Sequence, residues 1–108
     1  MAKNLQLQFE DLLLNYNVDL AVWAHYHSYE RTCKVYKEKC SDEGVTHIVV
    51  GSAGKSIDID LWLERPWSMF HICDWGYGKV TVANATAMKW EWTQNRSGKV
   101  LDYVWLHK

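Results

Sequence analysis

The chain has 108 residues, of which 48% are hydrophobic and 23% charged, and 12 Lys and Arg against 13 Asp and Glu leave a net charge of −1. This is one domain or a piece of a larger one, long enough to bury a core, and its balanced charge gives no basic field for nucleic acid. Seven Trp and six Tyr argue against disorder, and no apolar run reaches the ~20 residues that cross a bilayer.

The opening Met1-Ala2-Lys3-Asn4 lacks the apolar stretch of a signal peptide. Residues 5–16 then predict a helix, with Leu5, Phe9, Leu12, Leu13 and Tyr16 on one face. Asn4 is its expected N-cap, and Asn15 and Asn17 mark the exit. Residues 18–24 predict a short strand buried on both faces, as in a sheet covered by helices. Helix followed closely by strand is the second half of a parallel βαβ unit, whose first strand is expected upstream of Met1.

Cys33 and Cys40 flank a polar segment. A bond between them closes an eight-residue loop and stabilises by about 2.5 kcal/mol in the chain-entropy model; the other reading is two reduced thiols. No second Cys/His pair stands at zinc-finger spacing. Residues 46–50 predict a second apolar strand, running into Gly51-Ser52-Ala53-Gly54. The two glycines there are separated by two residues, not the four of a phosphate-binding P-loop, so the segment is a turn.

Residues 55–75, interrupted by Pro66, predict a long loop anchored by Trp62, Trp67 and Phe70, with Cys73 as a buried free thiol. The last third predicts a three-stranded antiparallel meander over residues 77–83, 87–93 and 100–106. In its middle strand Met88, Trp90 and Trp92 alternate with Lys89, Glu91 and Thr93, which puts the tryptophans on the buried face. The turns carry two N-glycosylation acceptor patterns, at Asn84 and Asn95. With the cysteine pair they point to an oxidising compartment.

Chemistry centres on His25-Tyr26-His27, directly after the first strand. Sites in open α/β sheets form at the carboxyl ends of strands, and residues two apart in extended backbone share a side. Two neutral imidazoles there can ligate one metal or two adjacent ones; the other reading is a surface pair. Glu30 and Arg31 are either a local ion pair or two solvated charges. His47 is expected in the core or on a sheet face. His71 and His107 have no partner spacing, although His71 can reach a site from its loop.

The run Ala24-His25-Tyr26-His27-Ser28-Tyr29-Glu30-Arg31-Thr32-Cys33 closely resembles the Gly-His-x-His-x-Tyr-Glu-Arg segment of the purple acid phosphatases, which are binuclear metallophosphoesterases. The resemblance continues through Phe9 to Leu13, Tyr16 to Asp19, Thr46 to Gly51, Asp74 to Gly78, and Ser97 to Val100 with Asp102. The cysteine pair after Arg31 is similar to the plant-type, high-molecular-weight branch, some of whose members resemble nucleotide pyrophosphatases/phosphodiesterases.

The resemblance implies an α+β fold, the C-terminal part of an α/β metallophosphoesterase sandwich. It implies that His25 binds a divalent metal (zinc, manganese or iron) and His27 a ferric iron. In the family the metals clamp a phosphate ester and activate a water for attack on phosphorus. It further implies secretion and a longer precursor. The family's Asp-x-Gly, Gly-Asp-x-x-Tyr, Gly-Asn-His and upstream histidine segments, which supply five of seven ligands, have no match here. The 108 residues are therefore expected to bind metal only weakly, to lack efficient turnover, and to need the missing upstream part of the catalytic domain as partner. Ala24 stands where the family has glycine, and is expected to cost about 1 kcal/mol and shift the site if that position needs a left-handed backbone or a close backbone approach. The competing function is a non-catalytic interaction or carbohydrate-binding module that uses Trp90, Trp92 and Trp105.

Overall fold

Helix α1 spans Lys3–Asn15 in the computed structural model, which describes residues 3–58 and 65–108. Asn4 thus lies inside the first turn and is not the cap. The exit is built as expected. Asn17 takes a left-handed φ of 55°, Asn17 N donates to Leu14 O and Val18 N to Leu13 O, the paired bonds of a Schellman motif. The face expected to be covered is largely open: Phe9, Leu12 and Tyr16 are exposed, while Leu13 is half-buried.

Among the described residues five strands form the first sheet: β1 (Leu20–Trp23), β2 (Tyr29–Tyr36), β3 (Lys39–Cys40), β4 (Val45–Val50) and β5 (Ser68–Ile72). β1 pairs with β4 in parallel, β4 with β2 antiparallel, and the far edge of β2 is shared by β5 and β3. β1 is therefore an edge strand. The expectation of burial on both its faces fails, because Val22 remains 51% exposed while Ala21 is buried. The order helix, β1, then β4 parallel to it agrees with an α/β element.

Three strands were not legible in the sequence pattern, the two-residue β3 among them. β2 reads as a charged segment, yet it is central, because its charged side chains find partners across the fold. β5 falls in the expected long loop, where five residues after a turn suffice to pair with β2. Of the expected loop anchors, Trp67 and Phe70 are half-buried, Phe70 packs on Tyr29 with ring centroids 5.9 Å apart, and Trp62 lies outside the described residues. Cys73 follows β5 and is exposed, so the buried thiol is also corrected.

The second sheet is the antiparallel meander β6 (Gly76–Asn84), β7 (Ala87–Gln94) and β8 (Val100–His107), within a residue or two of the expected limits. Trp90 and Trp92 are buried and Lys89 and Glu91 are not, as the alternation predicts. The two sheets meet through Tyr29, Ile48, Trp90 and Trp92, with Leu20, Val50, Phe70, Ile72 and Val104 packed around them. Tyr29 stacks on Trp92 at 4.8 Å and on Trp90 at 6.5 Å. Gly76 and Gly78 lie flat against these indoles: a Cβ there would come within 2.2 Å of Trp92 and 2.0 Å of Trp90.

Buried polar groups tie the sheets together. Asp102 accepts from Tyr29 Oη at 2.7 Å and from Arg31 Nε and Nη2 at 2.8 and 2.9 Å, and Trp90 Nε1 donates to Tyr29 Oη at 2.9 Å. Burial and the Asp102 carboxylate push the Tyr29 hydroxyl well above its usual range. Glu30, pointing to the opposite face, accepts from Ser68 Oγ at 2.7 Å. Neither local reading of Glu30 and Arg31 holds, since adjacent residues in a strand project to opposite sides.

Candidate metal site

β1, β4 and β5 all end at one edge of the first sheet, and β2 begins there. The segment 24–28 bridges β1 to β2 along that edge, so His25 and His27 lie at the carboxyl ends of the strands. The turn is tight. Tyr26 N donates to Ala24 O, and Ser28 N to Tyr26 O. His25 takes the left-handed conformation, with φ 77°, and Ala24 does not. Left-handed strain at Ala24 is therefore absent; the residue with the less favoured backbone is His25 itself, a type that tolerates this region better than most.

Neighbouring segments hold the bridge. Gly51 N donates to Ser28 O at 3.1 Å, and the Gly51 backbone lies so close that a Cβ would come within 2.1 Å of Tyr26 O. Here glycine is required by contact. Asp58 reaches back to His27, accepting from its N–H through Oδ2 at 2.8 Å and donating its own N–H to His27 O at 2.9 Å. Sequence reasoning missed Asp58, since nothing in the local pattern links residues 31 apart. His25 is exposed and His27 half-buried.

The other histidines are elsewhere. His47 is half-buried on β4, accepts at Nδ1 from Trp23 Nε1 at 2.9 Å and stacks on that indole; burial lowers its pKa. It thus behaves as the expected sheet-face histidine. His71 belongs to β5, with Cys73 Sγ 3.9 Å from its Nε2, and its pKa is also lowered by burial. His107 stacks on Trp105 at the far end of β8. A cleft of about 370 Å³ lies at the opposite end of the first sheet, between Asn17, Asp42, Gly44 and His107, well away from the histidine bridge.

Among the described residues no three His, Cys, Asp or Glu side chains converge to hold a metal. His25 and His27 thus stand on one sheet edge as two residues of a ligating type, short of the three or four protein ligands of a structural or catalytic zinc site. Cys33 and Cys40 are joined by a disulfide that fastens β2 to β3, with Cα atoms 5.8 Å apart. Asn84 and Asn95 are exposed on the two hairpin turns of the meander; Asn84 Oδ1 accepts from Thr86 N and Oγ1. No helix among the described residues is long and apolar enough to cross a membrane.

Comparison with known proteins adds four findings. Residues 44–103 match the family model described as iron/zinc purple acid phosphatase-like protein C. The chain is 33% identical over 103 residues to probable inactive purple acid phosphatase 27 of Arabidopsis thaliana, covering 86% of this chain and 17% of that protein. It is 33% identical over 110 residues to human acid phosphatase type 7, covering 90% and 25%. The structure of a purple acid phosphatase from yellow lupin (Lupinus luteus) seeds superposes with a TM-score of 0.85 at 29% identity, over 98% of this chain and 20% of that one. The chain thus spans a quarter or less of the length of these relatives.

Proposed function

This chain belongs to the purple acid phosphatase family, and we propose that it supplies His25 and His27 to the binuclear centre of a phosphate-ester hydrolase whose other ligands come from a segment outside these 108 residues. The observation that carries the reading is the bridge itself: both imidazoles sit where the parallel strands end, on a backbone held by Gly51 and Asp58. When bound, a ferric iron and a divalent ion would supply charge neutralisation at phosphorus and a water acidic enough to attack at moderate pH. The chain's own part is to orient two neutral nitrogen donors. In this reading His25 faces the divalent ion (zinc, manganese or iron) and His27 the iron.

Open apolar surface supports a larger domain. Phe9, Leu12 and Tyr16 on α1, Val22 on β1, and Val80 and Val82 on β6 are all exposed. Total accessible surface is 7322 Å², against about 6,200 Å² for a compact chain of this mass. We assign the excess to faces that the upstream part of the catalytic domain covers. The family's secretory context, the disulfide and the two exposed acceptor asparagines favour an extracellular location. The interaction-module reading is weakened, because Trp90 and Trp92 are core and only Trp105 of its three tryptophans is exposed.

The experiment is a zinc titration of the chain followed through its imidazole resonances, together with a p-nitrophenyl phosphate assay on the chain extended upstream to include the missing motifs. His25→Ala and His27→Ala should each weaken zinc binding, and the extended chain should gain two-metal stoichiometry and turnover. Zinc binding indifferent to both substitutions would sink the reading.

A further inference from the structure

We propose that Asp58 is a positioning residue for His27, fixing the direction in which its imidazole leaves the bridge; the role rests on the reading of His27 as a metal donor. One residue grips both backbone polar groups of another across the fold. His27 N donates to Asp58 Oδ2 at 2.8 Å, and Asp58 N donates to His27 O at 2.9 Å. The N–H and the C=O of a residue lie on either side of its Cα. Holding both fixes the Cα–Cβ vector and leaves only the side-chain rotamers free. The bond to the carboxylate is charge-assisted, and so stronger than a neutral one.

The bridge needs such a brace. His27 falls between the end of β1 at Trp23 and the start of β2 at Tyr29, so no sheet ladder holds it. His25 and His27 are the central residues of two successive three-residue turns, and His25 is left-handed. Gly51 secures the bridge one residue further on, at Ser28. Asp58 is thus the residue that hydrogen-bonds both backbone groups of His27 itself. Its charge is felt at the same edge of the sheet, where burial first and the Asp58 carboxylate second raise the Cys73 thiol pKa. A carboxylate beside an imidazole donor also favours a cation electrostatically. Outer partners that orient a histidine ligand commonly change metal affinity by about 10–100-fold.

The test uses Zn²⁺ alone on the 108-residue chain, with the His25 and His27 imidazole resonances and the exchange rate of the His27 amide as readouts. Asp58→Ala should weaken zinc binding about tenfold and speed exchange of the His27 amide. Asp58→Asn, which keeps an acceptor, should restore most of both. Asp58→Glu, which keeps the charge but displaces it by a methylene, should bind zinc more weakly than the parent chain. That arm carries the test if Asp58→Ala fails to fold. Parent-like zinc affinity in Asp58→Ala or Asp58→Glu, with His27→Ala still impaired, overturns the positioning role and leaves the metal reading standing. Zinc binding unchanged by His27→Ala overturns both.

Discussion

Arg31 grips Asp102 with two parallel hydrogen bonds, Nε to Oδ2 at 2.8 Å and Nη2 to Oδ1 at 2.9 Å, joining residues 71 apart in sequence. The pair links β2 of the first sheet to β8 of the second. Tyr29 donates to the same carboxylate, so the motif that follows the histidine bridge is anchored in the meander. Removing one member leaves a largely buried charge without its counter-charge, which costs more than the pair contributes.

Asp102→Ala should therefore destabilise the chain by about 3 kcal/mol, read from urea unfolding. Replacing both members with apolar residues, Arg31→Met with Asp102→Leu, should cost less than Asp102→Ala alone. A loss below about 1 kcal/mol, typical of exposed ion pairs, would show that the contact contributes little.

The Cys33–Cys40 bond closes a short loop, so its effect falls mainly on the unfolded chain. Reduction, or the Cys33→Ser/Cys40→Ser double variant, should lower stability by about 2.5 kcal/mol. Alkylation under non-reducing conditions should label one thiol, Cys73, and three after reduction. Labelling of all three without reductant would contradict the bond.

Stability should depend on pH at both ends of the range. His47 has a pKa depressed below 6.5 by burial, so its contribution is fully present above that value. It is lost as pH falls, because the unfolded chain takes up the proton first. His71 acts with the same sign. Tyr29 has a pKa raised above 10.0, so its contribution holds below pH 10 and is lost as pH rises beyond it. The urea midpoint should thus fall below about pH 6.5 and above about pH 10. His47→Gln should flatten the acid limb and Tyr29→Phe the alkaline one. An acid limb of equal slope in His47→Gln would remove His47 as its cause.

Expression through a secretory pathway should add glycan at Asn84 and Asn95, since both asparagines are exposed on hairpin turns. Mass before and after endoglycosidase treatment, with Asn84→Gln and Asn95→Gln as controls, reads the occupancy of each. Unmodified protein from such a host would count against the secretory assignment.

Much of this protein is visible in short-range pattern. The Met88 to Thr93 alternation identifies β7 and its buried tryptophans, because side-chain direction in a strand repeats every two residues. The helix exit at Asn17 is equally local, set by a left-handed residue that asparagine tolerates. The histidine motif is contiguous, so its position after a strand and its family are readable along the chain. β2 is not readable in this way, because Glu30 and Arg31 look like surface charge until Ser68 and Asp102 arrive from residues 38 and 71 positions away. The open faces of α1 and β1 are hidden for the same reason, since an apolar periodicity states which side wants cover but not whether anything lies against it. Asp58 belongs to that second group too. Its hold on His27 depends on where β4 ends and how the following segment folds back along the sheet edge, a placement that long-range packing sets and residue type alone does not.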